Sequence, residues 1–447
     1  MSKFQVGFGR VNVTPMMGID ISGYYKERYA DGVLDDLELN AVALAYGEKK
    51  AVLVTGDFLY FKTDVSADYL QYISEKTGLS QDAIFLSATH THTGPDLDKE
   101  AEDPLRKEYF GFVRNRIADV VSFALADLKP AKMGWAIGEA PNIAFVRRFR
   151  MKDGTIRTNP GVDNPDIVAP IGDVDERVNV VRFDREGADS IVLVNFGDHP
   201  DTVGGCKISA DWPGFLRRTV EQALDNTKCV FFNGAQGDVN HVNVHPRGGY
   251  LNDMFMDFDD VARGYGHARF MGRVVAGGVL QVYDKVKYVD VDSLNYIHRF
   301  IKVPSNMPKA EDMEEAYHID ALHQAGKDDE LPYKGMMLTT KVAEAARMIR
   351  LEHGPEYFDM RLSGVSIGGV ALLGIPGEPF TGIGRGLKEY DGFELVMPAC
   401  CTNGSQGYFP MKEAYDEGGY EAGSSIFRAG VAELIIEEGK KLMQDLR

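Results

Sequence analysis

The sequence predicts an α/β fold of the α+β layered kind, in which mixed β-sheets are flanked by helices. Short apolar runs rich in valine and isoleucine recur along the 447 residues, without the polar alternation of half-exposed strands. Segments with apolar residues at helical spacing lie between these runs. Because strands and helices are mixed throughout, the chain is expected to form a layered core.

Seven apolar runs are predicted to be strands, most of them buried on both faces. They span residues 51–56, 84–88, 178–183, 191–196, 229–232, 365–375 and 394–398. Helical spacing of apolar residues predicts helices over residues 105–128, 311–323 and 340–351. A last helix is predicted to begin at Ser424 or Ser425, because either serine is a suitable N-cap before the apolar face that starts at Phe427.

Two stretches rich in glycine, aspartate and asparagine, residues 152–172 and 248–263, are predicted to be long loops. The second stretch is predicted to be a solvated acidic loop, with a hard-cation site as the alternative; its acidic residues are Asp253, Asp257, Asp259 and Asp260. Neither stretch resembles a flexible tether, and the sequence has no internal repeat. Residues 1–447 are therefore predicted to form one domain.

Composition excludes several classes of partner. A net charge of −18 argues against nucleic acid and against anionic membranes as partners. No apolar run approaches the roughly 18 residues of a membrane span, and residues 1–7 lack a signal-peptide pattern, so a cytoplasmic location is expected.

Four cysteines are too few for a disulfide scaffold, and Cys400 and Cys401 are interpreted as small buried residues. The oligomeric state is not predicted.

The most informative segment is residues 86–95, where His90 and His92 stand among threonines before a Gly-Pro turn. An apolar run leads into this segment, which is the pattern of a strand that ends in a loop. Residues two apart in extended chain point the same way, so both imidazoles are predicted to reach one spot. Imidazole is a common zinc ligand. The alternative is a pair of histidines without a metal.

Two further sites follow apolar strands. His199 lies between Asp198 and Pro200, and the proline favours an extended or turn conformation at the histidine. Asp198 is a candidate to orient the imidazole of His199, although sequence neighbours often point apart. Glu378 lies in a Pro-Gly-Glu-Pro turn that restricts its backbone. Each could equally be an ordinary polar residue at a strand end.

Two more segments carry polar or aromatic groups next to glycine. Tyr408, Tyr415 and Tyr420 lie in a Gly-rich loop before the last helix, where a phenol could bind a metal or an oxyanion or could serve packing alone. Residues 232–240 run from a strand into a small polar turn, and small residues let the backbone approach a ligand closely. For Asp238 a structural role is the favoured interpretation.

Together these segments resemble the neutral/alkaline (non-lysosomal) ceramidase family. The resemblance covers most of the chain, and its most specific parts are the His-Thr-His-Thr-Gly-Pro and Gln-Gly-Asp-Val motifs. In sequence order it includes residues 6–10, Asp57, residues 89–95, His199-Pro200, residues 236–239, Gly377-Glu378 and residues 408–420.

The resemblance implies a ceramidase-like catalytic domain with a zinc site. The implied zinc ligands are His90, His199, Glu378 and Tyr408. The implied groups near the reacting carbonyl are His92, Arg147 and Tyr420. Iron, manganese and nickel also suit such ligands.

Three features depart from the family pattern. The family's arginine usually follows asparagine, but Val146 precedes Arg147 here, which makes Arg148 a rival for the role. The chain ends shortly after residues 408–420, called the tyrosine loop below, so the family's C-terminal immunoglobulin-like domain is expected to be absent. The absence of a secretion signal leaves the substrate open between ceramide and a smaller soluble molecule.

The resulting hypothesis is a zinc-dependent amidohydrolase of sphingolipid metabolism, in which metal-activated water cleaves a linear N-acyl amide of a small or lipid-like substrate. His92 and Glu378 are both candidates to protonate the leaving amine. One alternative is an esterase or lactonase that acts on a small soluble metabolite. Another alternative is a metal-binding scaffold without turnover.

Overall fold

The computed structural model describes residues 3–246 and 254–447. The strands in chain order are β1 (Phe4–Asn12), β2 (Gly32–Val33), β3 (Glu38–Tyr46), β4 (Lys49–Gly56), β5 (Ile84–Ala88), β6 (Lys129–Glu139), β7 (Phe145–Val146), β8 (Arg148–Met151), β9 (Ile156–Thr158), β10 (Ile167–Pro170), β11 (Arg177–Arg185), β12 (Ser190–Phe196), β13 (Lys207–Ile208), β14 (Thr227–Asn233), β15 (Val239–Asn240), β16 (Phe255–Met256), β17 (Ala262–Arg263), β18 (Lys287–Val289), β19 (Leu294–Pro304), β20 (Tyr357–Ile367), β21 (Val370–Gly374), β22 (Glu378–Pro379), β23 (Leu395–Ala399) and β24 (Tyr408–Phe409).

The α-helices lie between and after these strands. In chain order they are α1 (Thr63–Thr77), α2 (Pro104–Ala126), α3 (Asp211–Ala223), α4 (Tyr265–Val282), α5 (Met313–Gln324), α6 (Gly335–Leu351), α7 (Thr381–Lys388), α8 (Lys412–Glu417), α9 (Tyr420–Ser424) and α10 (Val431–Asp445). None of the helices in the described ranges combines the length and the apolar character that crossing a bilayer requires.

The predicted α/β fold with mixed, helix-flanked sheets is confirmed. The largest sheet has nine strands in the order β14-β12-β11-β6-β1-β3-β4-β5, with β18 also paired to β6. The β4–β5 and β12–β14 pairs are parallel, whereas β1–β3 and β6–β11 are antiparallel. A second sheet has the order β19-β20-β21-β23.

The two sheets pack face to face, and helices cover their outer faces. Val42 and Leu44 of β3 share one buried cluster with Leu372 of the second sheet. The alternate residues Ala41 and Ala43 belong to a different cluster, which includes residues of α1 and α2. Helices α3 and α4 cover the β11–β12–β14 part, and α7 and α10 cover the second sheet. Strands enclosed on both faces explain the apolar runs without alternation.

Three predicted element boundaries are wrong, the first being the start of α6, which begins at Gly335 rather than at residue 340. Residues 365–375 form the end of β20 and all of β21, which Gly368 and Gly369 join as a two-residue hairpin loop. Gly368 has a φ of +50°, a conformation that a residue with a Cβ rarely adopts. The last long helix begins at Val431 rather than at a serine, and the Oγ of Ser425 instead donates a hydrogen bond to the carbonyl oxygen of Tyr408.

The predicted long loops contain short strands. Residues 152–172 include β9 and β10, which form a three-stranded sheet with β8. In the second stretch β16 pairs with β17, while Asp253 lies outside the described residues. Asp259 is neither solvated nor free for a cation, because both of its carboxylate oxygens accept hydrogen bonds from the buried guanidinium of Arg263.

Candidate metal centre

The ends of the parallel strands β4 and β5 present His90 and His92. The backbone N–H of His90 donates to the carbonyl oxygen of Phe58, just beyond β4, over 2.9 Å. His90 has a φ of +77°, so the segment turns rather than staying extended as predicted. The two imidazole rings still lie with their centroids 5.1 Å apart, as expected from the motif. Hydrogen bonds from the hydroxyls of Thr91 and Thr93 to the carbonyl oxygen of Ser209 anchor the turn.

His199 follows β12, and its ring lies 5.0 Å from that of His90. Its Nδ1 is 2.7 Å from the carbonyl oxygen of Gln236 and 3.0 Å from that of Val239. The Nδ1 of His90 is likewise 2.8 Å from the carbonyl oxygen of Leu59. Since a carbonyl only accepts, each Nδ1 carries the proton and each Nε2 keeps a lone pair. Metal-binding histidines are oriented in this way.

The pairing of β22 with β24 brings Glu378 and Tyr408 to the same place. The Glu378 Oε2 lies 3.3 Å from the Nε2 of His90 and 3.1 Å from the Nε2 of His199. Three ligand atoms supplied by distant parts of the chain therefore converge on one point. The Tyr408 ring stacks beside that of His199, with 6.4 Å between centroids and 19° between planes.

A metal ion fits this group of side chains. Ligand atoms of His90, His92 and His199 all lie within 4.8 Å of one another, and all three residues are buried. Within the described ranges, the Nε2 of His90 and both ring nitrogens of His92 are buried without a hydrogen-bond partner. Unpaired buried nitrogens are costly unless a ligand satisfies them. Two or three imidazoles with a carboxylate and a phenol form a donor set typical of zinc.

Burial and charge favour the protonation states that bind a metal at His92, His199 and Glu378, but not at His90. Burial holds the pKa of His92 well below its usual value, and burial together with the charge of Arg147 lowers the pKa of His199 to about 4. Burial raises the pKa of the Glu378 carboxyl, but His90 and His199 outweigh burial and hold that pKa well below the usual range. For His90 burial lowers the pKa, but the charge and close contact of Glu378, with smaller contributions from Cys400 and the carbonyl oxygen of Leu59, together outweigh burial and leave the pKa raised. The carboxylate is therefore ionised at neutral pH.

Arg147, rather than Arg148, points to this group. The Nη1 of Arg147 lies 3.4 Å from the Nε2 of His199, and its Nε donates to the Oε1 of Glu421 over 2.6 Å. Arg148 points to the tyrosine loop, where its Nη2 donates to Glu417 and to the carbonyl oxygen of Gly418. The structure thus places Arg147, and not Arg148, next to the histidines, a choice that the sequence leaves open.

An open cavity of about 930 Å³ leads from solvent to the histidines. Both His90 and His92 line it, together with Glu378, Tyr408 and Tyr420. The Tyr420 ring lies 5.5 Å from that of Tyr408, with 71° between their planes. His199 and Arg147 are not among the lining residues and lie behind this wall. A molecule in the cavity would therefore contact His90, His92, Glu378 and the two phenols, but not His199 or Arg147.

Solved structures of two ceramidases share this architecture. The neutral ceramidase from Pseudomonas aeruginosa superposes with a TM-score of 0.72 at 17% identity, over 99% of this chain and 75% of that one. The fold is that of a neutral ceramidase. A ceramidase complexed with C2 superposes with a TM-score of 0.70, also at 17% identity, over 99% of this chain and 76% of that chain. No family model matches the sequence.

Several predicted motif residues serve the ceramidase-like fold rather than the centre itself. Asp238 has the structural role that the sequence favours, because its Oδ1 accepts hydrogen bonds from the N–H and hydroxyl of Thr381 at the start of α7. Gly237 permits close backbone contact, but with β22: a Cβ there would lie 2.6 Å from the carbonyl oxygen of Glu378. Asp198 does not orient His199, and its carboxylate has no hydrogen-bond partner in the described ranges.

The cysteine pair is buried as predicted, but it is closer to the centre than expected. Cys400 and Cys401 are both free thiols. The Sγ of Cys401 lies 3.5 Å from the Nδ1 of His90. The two buried cysteines therefore pack against the histidine cluster and do not line the cavity.

Sequence reasoning missed a polar network behind His92. The Oδ1 of Asp201 lies 3.7 Å from the Nδ1 of His92 and accepts a 2.5 Å hydrogen bond from the hydroxyl of Tyr24. Arg263 holds Asp201 in turn, through its Nε and Nη2. The only available signal was the position of Asp201 two residues after His199. Arg263 and Tyr24 lie too far along the chain for spacing to connect them.

Proposed function

We propose that this chain is a zinc-dependent hydrolase that cleaves a linear N-acyl amide bond. The observation that carries the proposal is the convergence of Glu378 with the Nε2 atoms of His90 and His199 at the wall of an open cavity. The neutral ceramidase fold supports the same reaction class. Residues 1–447 act as one catalytic domain in this proposal.

In the proposed site His90, His199, Glu378 and Tyr408 hold the zinc ion. A bound zinc ion lowers the pKa of a water molecule to about 7 and polarises a carbonyl group. The backbone carbonyl oxygens that accept from each Nδ1 keep the two histidines aimed inward. The ionised carboxylate supplies negative charge, which favours a divalent cation over a water molecule at the same point.

His92, Tyr420 and Arg147 act on the substrate in this proposal. Both ring nitrogens of His92 are free of hydrogen bonds within the described part of the chain, so His92 is the proposed carrier of a proton to the leaving amine. Glu378 is the weaker candidate, because two histidines occupy its Oε2. Tyr420 lines the cavity and donates a hydrogen bond to the developing oxyanion. Arg147 does not line the cavity, and its guanidinium next to His199 stabilises the oxyanion through its positive charge.

The cavity supports a substrate with both apolar and polar parts. Aromatic side chains of Tyr24, Tyr25, Tyr60 and Phe358 line it and suit an acyl chain or another apolar group. One neighbouring structure is a ceramidase complexed with C2, which supports a lipid-like N-acyl substrate for this chain as well.

The test is to measure zinc in the purified protein and hydrolysis of a short-chain fluorogenic N-acyl sphingosine, with and without chelator. The proposal expects near-stoichiometric zinc and chelator-sensitive amide cleavage that zinc restores. Zinc without cleavage of any N-acyl amide would contradict the amidase and point to the second candidate or to a scaffold. A protein that neither contains zinc nor turns over after zinc addition would contradict the whole proposal.

A second candidate is an esterase or lactonase that acts on a small polar metabolite. It is favoured by the charged side chains of Lys62, Asp64 and Arg350, which line the same cavity and suit a polar ligand better than a lipid. Matched amide and ester substrates with the same acyl group separate the two candidates. Turnover of the ester alone would select the second.

Replacing His92 with alanine is expected to separate metal binding from turnover. If His92 acts on the substrate, the variant retains near-stoichiometric zinc while kcat falls by about 10²–10³-fold, the usual cost of losing a group that stabilises the transition state. Zinc content and kcat of the same preparation provide the measurement. Loss of the zinc together with activity would instead make His92 a ligand.

Replacing Arg147 is expected to lower activity far more than replacing Arg148. Arg147 lies 3.4 Å from His199, whereas the Arg148 guanidinium donates to Glu417 and to the carbonyl oxygen of Gly418. We expect Arg147→Ala to lower kcat by about 10²-fold and Arg148→Ala to have a smaller effect. Side-by-side kcat values, with circular dichroism to check folding, test the ranking. A larger loss in Arg148→Ala would reverse the assignment.

A further inference from the structure

A second large cavity, of about 1030 Å³, lies on the opposite side of the tyrosine loop. The wall is formed by β9, α6 and residues 415–429. No described residue lines both this cavity and the one at the histidines. We call it the cationic cavity, after the six side chains that it gathers: Arg157, Lys309, Lys334, Lys341, Arg347 and Arg428. Such a group is unexpected in a chain with a net charge of −18.

Acidic side chains pair with some of these cations, as Glu311 does with Lys309 over 3.8 Å, and leave others without a carboxylate partner in the described ranges. The carboxylates that line the cavity belong to Asp260, Glu344 and Glu417. Glu344 pairs with Lys341 over 2.9 Å, and Glu417 turns to Arg148 over 3.1 Å. Positive charge therefore remains in excess.

Lys334 and Arg428 are the clearest unpaired cations. Both side chains are exposed, and neither forms an ion pair with another residue of the described ranges. Arg347 donates only to backbone, from its Nε to the carbonyl oxygen of Gly423 over 3.0 Å and from its Nη1 to that of Asn306 over 2.9 Å. Carbonyl oxygens orient the Arg347 guanidinium without cancelling its charge, and its planar fork suits an oxyanion.

A further donor has no partner. Within the described part of the chain, the Nε of Arg157 is buried without a hydrogen-bond acceptor, while its Nη2 pairs with Asp153 over 2.7 Å. The N-terminus of α6 adds little to the site, because the Asp260 carboxylate already lies against Gly335, the first residue of that helix. The attraction for an anion therefore comes from side chains rather than from a helix dipole.

We propose that the cationic cavity binds a small molecule that carries a phosphate group. Cationic side chains line the cavity, and within the described ranges Lys334, Arg347 and Arg428 form no ion pair with a carboxylate, so the cavity favours a doubly charged phosphate group over a single carboxylate. The cavity volume of about 1030 Å³ is typical of a site for a small molecule and much larger than one inorganic ion needs. Ile156, Met336 and Met337 supply apolar wall for the remainder of the molecule.

The site is distinct from the metal centre but adjoins it. Ala422 and Gly423 of α9 line the cationic cavity, whereas Tyr420, at the start of the same helix, lines the cavity at the histidines. Arg347 holds this helix through the carbonyl oxygen of Gly423. A phosphate compound in this cavity would thus lie beside Arg347, the residue that holds α9.

The test is isothermal titration of the full-length protein with inorganic phosphate and, separately, with glycerol 3-phosphate, at constant ionic strength set by chloride. The variant is Lys334→Gln/Arg428→Gln, which alters two exposed side chains and is expected to fold. The matched control is Lys285→Gln/Lys302→Gln, which removes the same charge from exposed positions outside the cavity. Zinc content of each protein shows whether the metal centre is intact.

We expect saturable binding by the wild type and the control, and at least about tenfold weaker binding by Lys334→Gln/Arg428→Gln with its zinc content unchanged. Tighter binding of glycerol 3-phosphate than of inorganic phosphate would indicate a phosphorylated metabolite as the ligand. The proposal is overturned if the wild type binds neither probe saturably. It is equally overturned if the cavity variant binds both as tightly as the control, because the phosphate then lies elsewhere.

Discussion

Replacing His199 with alanine is expected to remove both the metal and the activity. His199 supplies one of the atoms that converge with the Glu378 Oε2, and its ring is held by the carbonyl oxygens of Gln236 and Val239. Loss of a group that only orients a ligand already costs about 10–100-fold in metal affinity, so loss of the ligand itself should cost more. We expect zinc below about a tenth of the wild-type content and a fall in kcat/KM of at least about 10³-fold.

The matched control is His353→Ala, which removes an imidazole that is 90% exposed. This variant is expected to retain zinc and activity. Elemental analysis and hydrolysis of an N-acyl amide are measured on the same preparations, with thermal unfolding to confirm that both variants fold. Full amidase activity in folded His199→Ala would rule out the proposed metal centre, whatever the substrate.

Replacing Asp57 with alanine is expected to give the largest loss of stability. Asp57 is fully buried at the end of β4, and both of its oxygens accept hydrogen bonds from Arg217 of α3, over 2.9 and 2.6 Å. The hydroxyl of Thr89, just before the first histidine, donates to the same carboxylate. Removal leaves the buried guanidinium without its main partner. We expect the free energy of unfolding to fall by about 3–5 kcal/mol, measured by urea unfolding.

Two comparisons make the result specific. Asp284→Ala removes a carboxylate that is 89% exposed and lies 3.4 Å from Arg182, and it should cost less than about 1 kcal/mol. Asp57→Ala/Arg217→Met should cost less than Asp57→Ala alone, because the double variant leaves no unpaired buried charge. Equal losses in the buried and exposed single variants would show that this ion pair does not hold α3 to the sheet.

The seven predicted apolar runs all fall on strands, several of which are enclosed on both faces, but the long strands β1, β3, β6 and β19 were not predicted. The run 84–88 and the strand β5 coincide. Enclosure on both faces concealed the hairpin at Gly368 and Gly369, because apolar residues continue on both sides of the turn. The Gly-Gly pair between the two apolar runs is itself a hairpin signal, and sequence reasoning missed it by treating the two runs as one strand.

The start of the last helix was misplaced for a different reason. A serine before an apolar face is a good N-cap pattern, but Ser425 donates its hydroxyl proton to the carbonyl oxygen of Tyr408. The long helix begins instead at Val431, after Gly430. The hydroxyl of Ser425 therefore binds the carbonyl oxygen of Tyr408 instead of capping a helix, and this contact could not be read from the local sequence.

The sequence by itself predicted the fold class and, through short motifs and the resemblance to the ceramidase family that they carry, the candidate residues His90, His92, His199, Glu378, Tyr408 and Tyr420. It could do so because burial patterns and strand-end motifs are local properties of the chain. The tertiary structure decided that Arg147 rather than Arg148 points to the histidines, and it placed Asp201 and Arg263 behind His92. These relations join residues tens to hundreds of positions apart, and only the pairing of strands and the packing of layers brings such residues within hydrogen-bonding distance.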